Sequence, residues 1–194
     1  PNPRRVKIFL AEKGLSVPVT DLSLVKREHK APEFVAKNGR GQVPALELDD
    51  GTVISESFAI CRYFEALHPA PPLFGTGARQ IAEIDMWLRR VEHVLMPPIG
   101  AVWVHTHPFT AKLPMPRRAD WGEDNRPRAV DALRWFDAEL ARREFIAGDS
   151  YSVADIALLT TVDFAGFIGI DMPEEAANLR DWHARVSARP SAAA

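Results

Sequence analysis

The chain has 194 residues, 46% of them hydrophobic and 26% charged, with 26 acidic residues against 24 basic ones and a formal net charge of −2. That balance is ordinary for a globular protein and leaves no basic excess for a general affinity toward nucleic acid or anionic membrane. No apolar run reaches the length of a membrane span, and the single cysteine, Cys61, excludes an internal disulfide framework or a multi-cysteine zinc site and fits a reducing, cytoplasmic setting.

Pro1-Asn2-Pro3-Arg4-Arg5 opens the chain without an initiator methionine or leader pattern, so a segment is expected to precede it. Val6, Phe9 and Leu10 share one helical face that Gly14 stops, with Asn2 suited to the cap and Pro3 to the first turn. Val17 to Val25 alternates loosely, is rich in β-branched residues and predicts a strand. Ala31 to Lys37 reads as a short helix or an irregular turn, and Asn38-Gly39-Arg40-Gly41 as a loop. Val43 to Leu48 and Thr52 to Ser55 form the arms of a hairpin around Asp49-Asp50-Gly51. Glu56 to Leu67 predicts a helix with Phe58, Ile60, Cys61, Phe64 and Leu67 on a broad apolar face, ended by His68-Pro69-Ala70-Pro71-Pro72.

No strand signal follows that proline cluster. Gln80 to Val104 predicts a helix, with Ile81, Ile84, Leu88, Val91 and Leu95 on one face and a bend at Met96-Pro97-Pro98. His107 to Pro127, rich in proline and charge, reads as a long connection. Helical periodicity resumes over Arg128–Arg143, Ser152–Ile168 and Glu174–Ser187. The expected organisation is an α/β domain over residues 1–68, a linker over 69–79 and an all-helical domain over 80–194.

Several motifs bear on chemistry. Pro44 at the start of a strand reads alone as a trans proline on a strand edge. The alternative is a cis bond, which would turn the Val43 backbone outward toward an extended peptide ligand. Ser55-Glu56-Ser57 lies where a strand meets a helix. Its helix N-terminus suits a carboxylate and the Glu side chain an ammonium, but read alone the motif favours simple capping by Ser55 or Ser57. Ser152-Val153-Ala154-Asp155 has capping-box spacing and is read as structural. Cys61 among Phe58, Ile60 and Phe64 reads as a buried, inert thiol. His105 and His107 have no accompanying ligand at metal-binding spacing, and Arg4-Arg5 and Arg117-Arg118 read as solvated or ion-paired.

Taken together and in order, these residues resemble the glutathione S-transferase family along the entire chain. The resemblance rests on Pro-Asn-Pro-Arg-Arg-Val at residues 1–6, Ala-Glu-Lys-Gly closing the first helix, and His29-Lys30. It continues through residues 38–46 (Asn-Gly-Arg-Gly-Gln-Val-Pro-Ala-Leu), Glu56-Ser57, the proline linker, the Ser152/Asp155 box and Ala188-Arg189-Pro190-Ser191. It implies a thioredoxin-like domain that binds glutathione and a helical domain that supplies most of a second-substrate pocket. It also implies a cis Val43–Pro44 bond and pairing of the Val43 backbone with the cysteinyl unit. Glu56 and Ser57 would hold the γ-glutamyl end, while Gln42 with His29, Lys30 or Arg40 would approach the glycine carboxylate. The spacing from His29-Lys30 to Gln42 matches plant-type members. In serine-type members the catalytic hydroxyl would fall immediately before Pro1, so the first strand and that residue are expected ahead of the chain. Asn2 is the catalytic candidate within it, because some bacterial relatives use an Asn at this place. Gly39 replaces the proline common after Asn38.

Trp103, His105 and Phe109 are the candidate lining for a small hydrophobic electrophile, with Trp121 and Phe164 as further aromatic candidates. The implied activity is transfer of glutathione to that electrophile by a cytoplasmic homodimer, without metal, membrane or nucleic acid. The competing readings are a non-catalytic interaction module built on the same fold and a carrier of hydrophobic ligands.

Overall fold

A computed structural model describes all of residues 1–194. Helix α1 (Asn2–Glu12) buries Arg5, Ile8, Phe9 and Leu10 on one face. It ends in a Schellman motif: Gly14 takes φ +65°, its N–H bonds to the Ala11 carbonyl at 3.0 Å, and Leu15 N–H reaches the Leu10 carbonyl at 2.9 Å. Pro1, not Asn2, occupies the N-cap, and no side chain caps this end. The Asn2 side chain instead accepts a hydrogen bond from Arg5.

The strand expected over Val17–Val25 does not form. The sheet consists of β1 (Ala45–Glu47) and β2 (Val53–Ser55) alone, so this segment has no ladder to join. β-branched composition favours a strand only where a neighbour accepts its hydrogen bonds. Val19 and Val25 are accordingly 60% and 80% exposed. Residues 17–22 face Val43–Leu46 across an apolar groove of about 270 Å³ floored by Leu10, Ile60 and Phe64.

Of the two readings for residues 31–37, the helix is the one observed, as α2 (Pro32–Lys37). The hairpin follows its pattern, with Ala45 opposite Ser55 and Glu47 opposite Val53 around a turn in which Gly51 takes φ +84°. Helix α3 (Ser57–Leu67) buries Phe58, Ile60, Cys61 and Phe64.

Beyond the proline cluster all regular structure is helical, apart from an isolated Phe145–Gly148 bridge. Helix α4 (Gly77–Arg90) runs through a five-residue π turn, Val91–Leu95, into α5 (Met96–Thr106). Pro97 and Pro98 offer no N–H to the preceding turn, and the widened turn lies where those donors are missing. Helix α6 (Ala119–Leu140) begins nine residues before the expected start, carrying Pro127 inside it. The expected connection is thereby shortened: a proline costs a helix one N–H bond, and burial of Gly122, Asn125 and Ala129 on the inner face offsets that loss.

Helix α7 (Val153–Phe167) is the central element, buried without a break from Val153 to Val162, and α8 (Ala177–Ser187) packs against it through Leu179, Trp182 and Val186. The Ser152/Asp155 capping box is formed at its start. A single apolar cluster runs from Ile8 and Phe9 through Phe64 and Leu88 to Trp182, so the small α/β part shares one core with the helices.

Helices α5 and α6 approach closely at Gly122, where an added Cβ would lie 2.4 Å from Thr106 Cγ2 and 3.1 Å from His105 Cβ. Gly122→Ala is expected to lower stability by about 1–3 kcal/mol through overpacking. Urea denaturation checks this, and an unchanged midpoint would show that the two helices separate there without strain.

Candidate ligand-binding site

The chain passes from β2 into α3 through Glu56, which adopts φ +71° and ψ 120°. A non-glycine residue in this region is uncommon, and such conformations concentrate at ligand-binding positions. No side chain caps α3. Its first-turn N–H groups therefore keep their dipole and their unspent donors. The serine-capping explanation of Ser55-Glu56-Ser57 is thus not what the structure contains. Neither the Glu56 carboxylate nor the Ser57 hydroxyl takes part in any hydrogen bond or ion pair within the protein.

Facing them is the loop from Asn38 to Pro44. Asn38 is buried and organises it: its Nδ2 donates to the Gln42 carbonyl at 2.7 Å, and Gly41 N–H donates to the Asn38 carbonyl at 2.7 Å. Gly41 takes φ +54°, and a Cβ there would meet the His29 carbonyl at 2.8 Å, so glycine is required for this loop to lie against residues 28–30. The Val43–Pro44 bond is cis, as is Ala70–Pro71. Val43 N–H and C=O form no backbone hydrogen bond.

A small pocket of about 30 Å³ brings together Asn2, Asn38, Arg40, Gln42, Val43, Pro44, Ser55, Glu56 and Ser57. Asn2, Glu56 and Ser57 also line a larger cleft of about 560 Å³, which continues over Arg5, Phe58, Arg62, Arg89 and Glu92. Arg40 and Gln42 engage each other, Nε to Oε1 at 3.0 Å. His29 and Lys30 do not line either space. Lys30 Nζ donates to the Arg40 carbonyl at 3.0 Å, and the His29 Nδ1 atom is buried without a partner. Burial, reinforced by Lys30 and Arg27, holds the His29 imidazole below its usual pKa.

The aromatic candidates divide. Trp103 stacks on Phe109 with ring centres 5.5 Å apart, and meets Phe164 edge-on at 5.3 Å and His107 at 4.5 Å. Phe167, 67% exposed, completes this cluster at 6.1 Å from Trp103. His105 has no ring contact with the cluster, and its Nδ1 accepts from Arg118 N–H at 3.2 Å. Trp121 stands apart beneath Arg128. Cys61 is fully buried, and that burial pushes its thiol up to about 12, far from reactive at neutral pH.

Arg5 was the residue sequence reasoning missed. Read as solvated or ion-paired, it is 4% exposed and forms no ion pair, whereas its neighbour Arg4 pairs with Asp163. The signal was the helical period itself, which sets Arg5 on the same face as Ile8 and Phe9.

Comparison with known proteins returns one family twice. Residues 1–67 match the model of the glutathione S-transferase N-terminal domain, and residues 103–190 match that of the C-terminal domain. The chain is 40% identical over 194 residues to glutathione S-transferase 2 of Saccharomyces cerevisiae, covering 98% of this chain and 83% of that protein. The crystal structure of Gtt2 from S. cerevisiae superposes with a TM-score of 0.93 over 98% of this chain and 93% of that one, at 40% identity. A glutathione S-transferase domain-containing protein of Marinobacter aquaeolei is similarly close, with a TM-score of 0.93, 39% identity and coverage of 98% and 95%.

Proposed function

The chain belongs to the glutathione S-transferase family, and from that premise we propose that it binds glutathione between Val43 and the start of α3 and transfers its sulfur to a small hydrophobic electrophile. The observation that carries this reading is a set of unspent groups on one pocket wall. They are the Val43 N–H and C=O, the Glu56 carboxylate, the Ser57 hydroxyl and the uncapped N–H groups of α3. An extended tripeptide with a zwitterionic head has the complementary groups.

In this reading the γ-glutamyl carboxylate lies on the α3 N-terminus and Ser57, and its ammonium lies near Glu56. The cysteinyl unit pairs with the Val43 backbone beside Pro44. Arg40 and Gln42 approach the glycine carboxylate, with His29 and Lys30 behind them. The reactive species is the thiolate, because a neutral thiol is a poor nucleophile. Asn2 at the mouth of the pocket is the catalytic candidate: its amide NH₂ donates to the sulfur and favours the ionised form, and the thiol proton leaves to water. Trp103 and Phe109, with His105 at the edge, form the wall for the electrophile. The thiolate then forms a bond to the electrophilic carbon as the leaving group departs with its electron pair. The reading further includes a cytoplasmic homodimer with a detoxifying role, and a division into residues 1–68, 69–79 and 80–194.

The test is the initial rate of thioether formation with an activated aryl halide at varied glutathione. Ser57→Ala is expected to raise the KM for glutathione about tenfold with little change in kcat, the effect of one lost hydrogen bond to a charged group. Glu56→Gln is expected to act in the same direction. A wild type that binds glutathione without turnover would favour the carrier or the interaction module instead.

A further inference from the structure

The cleft beside Asn2 contains a buried cation without a counter-ion. Arg5 lies 4% exposed on the inner face of α1, no carboxylate comes within ion-pair distance of it, and its guanidinium sits 4.9 Å from the centre of the Phe58 ring. Burial draws its pKa down to about 10, which leaves it charged at neutral pH. A charge held out of water must be satisfied by well-placed acceptors.

Three acceptors do so. Arg5 Nε donates to Thr160 Oγ1 at 3.1 Å, Nη2 donates to Thr161 Oγ1 at 3.1 Å, and Nη1 donates to Asn2 Oδ1 at 2.8 Å. The threonines are fixed as acceptors from behind. The Thr160 hydroxyl gives its proton to the Ile156 carbonyl at 2.8 Å, and the Thr161 hydroxyl gives its proton to the Ala157 carbonyl at 2.7 Å. Each oxygen can therefore offer only lone pairs to Arg5.

The consequence falls on Asn2. A guanidinium has donors and no acceptor, so the Asn2 amide must turn its oxygen toward Arg5 and its NH₂ away. That NH₂ makes no hydrogen bond within the protein, and Asn2 lines both the pocket with Val43 and Ser57 and the larger cleft. We propose that Arg5, anchored to α7 by Thr160 and Thr161, is a positioning residue that locks the Asn2 amide with its NH₂ toward the glutathione sulfur. The inference rests on the reading above that glutathione occupies this pocket. It makes thiol ionisation depend on two hydroxyls in the helical part of the molecule that touch no substrate.

The test follows thiolate absorbance of bound glutathione against pH, with affinity measured by calorimetry on the same full-length proteins. Asn2→Ala is expected to raise the bound thiol pKa by about one unit, the loss of one hydrogen bond to a charged acceptor. Asn2→Asp should raise it further, because it removes the donor and adds a like charge. The pair Thr160→Val with Thr161→Val should also raise the thiol pKa, by part of the Asn2→Ala effect, while glutathione affinity stays within about threefold of wild type, since neither residue meets the tripeptide. The single variants each remove one anchor and carry the test if the pair does not fold. A thiol pKa unchanged in the threonine variants, with Asn2→Ala raised, would overturn the positioning role of Arg5. A thiol pKa unchanged in Asn2→Ala would overturn the donor role as well. Wild-type protein that binds no glutathione would overturn the underlying reading, a result distinguishable from both.

Discussion

Asp155→Ala is expected to destabilise the protein by about 3–5 kcal/mol, more than any substitution at the pocket itself. Asp155 is fully buried, and both carboxylate oxygens are spent. Oδ1 accepts from Ile146 N–H at 2.9 Å and from Trp182 Nε1 at 3.0 Å, while Oδ2 accepts from Ser152 N–H at 3.0 Å and its hydroxyl at 3.1 Å. Alanine would strand these donors in an apolar interior, and each orphan costs about 1–3 kcal/mol before the site relaxes. The same carboxylate joins the start of α7, the Ile146 loop and α8, so its loss loosens three segments of the core together. Asp155→Asn retains one acceptor oxygen and is expected to cost roughly half as much.

Burial pushes the Asp155 carboxyl up to about 6, and the bonds from Ile146, Trp182 and Ser152 draw it partly back. A folded-state pKa above the unfolded value means that the native protein keeps a proton that the unfolded chain has lost, between about pH 4 and pH 6. The contribution of this group to stability therefore falls as pH rises through that window, and Asp155→Asn should remove that slope. Urea titrations at pH 4.5 and pH 7, wild type beside both variants, check the size and the sign. Equal stability of Asp155→Ala and wild type would mean that the capping box does not hold α7.

Lys13→Met is the second large effect, with an expected loss of about 3–5 kcal/mol. The Lys13 side chain is fully buried, 2.5 Å from Glu65 Oε2. It donates to the His68 carbonyl at 2.8 Å and to the Pro71 carbonyl, and lies 5.4 Å from the centre of the Phe9 ring. One ammonium thus ties the end of α1 to the end of α3 and to the proline segment that leads to the helices. Its removal leaves Glu65 Oε2 and the His68 carbonyl without a donor, while the Pro71 carbonyl keeps its bond from Leu73 N–H and Glu65 Oε1 its bond from Phe74 N–H. Lys13→Met with Glu65→Leu should recover part of the loss, because the charge left behind is then gone. A double-mutant cycle measures the coupling, and additive single effects would contradict the account.

What could be read from the sequence divides by range. The hairpin around Asp49-Asp50-Gly51 and the Ser152/Asp155 box were legible because each is closed by neighbours in the chain. The Val17–Val25 strand failed for the opposite reason: a strand requires a partner at a distance, and the observed sheet provides none for it. The start of α6 was hidden by Pro127, whose local cost is outweighed by the packing of Gly122 and Ala129. The pocket wall of Val43, Glu56 and Ser57 carried a local signal in the loop and strand-to-helix junction. The Arg5 bonds to Thr160 and Thr161 join residues more than 150 positions apart, and no local pattern announces such a bond. His105 shows the same limit, since its engagement by Arg118 N–H depends on how the segment after α5 turns back.

Every proposed step depends on glutathione occupying the pocket between Val43 and α3. Calorimetric titration of the full chain with glutathione, beside Ser57→Ala, tests that occupancy most directly. Binding by wild type that weakens about tenfold in Ser57→Ala is the predicted result, matching one lost hydrogen bond to a carboxylate. A folded wild type that releases no heat with glutathione, or that binds it as tightly in Ser57→Ala, would contradict the account.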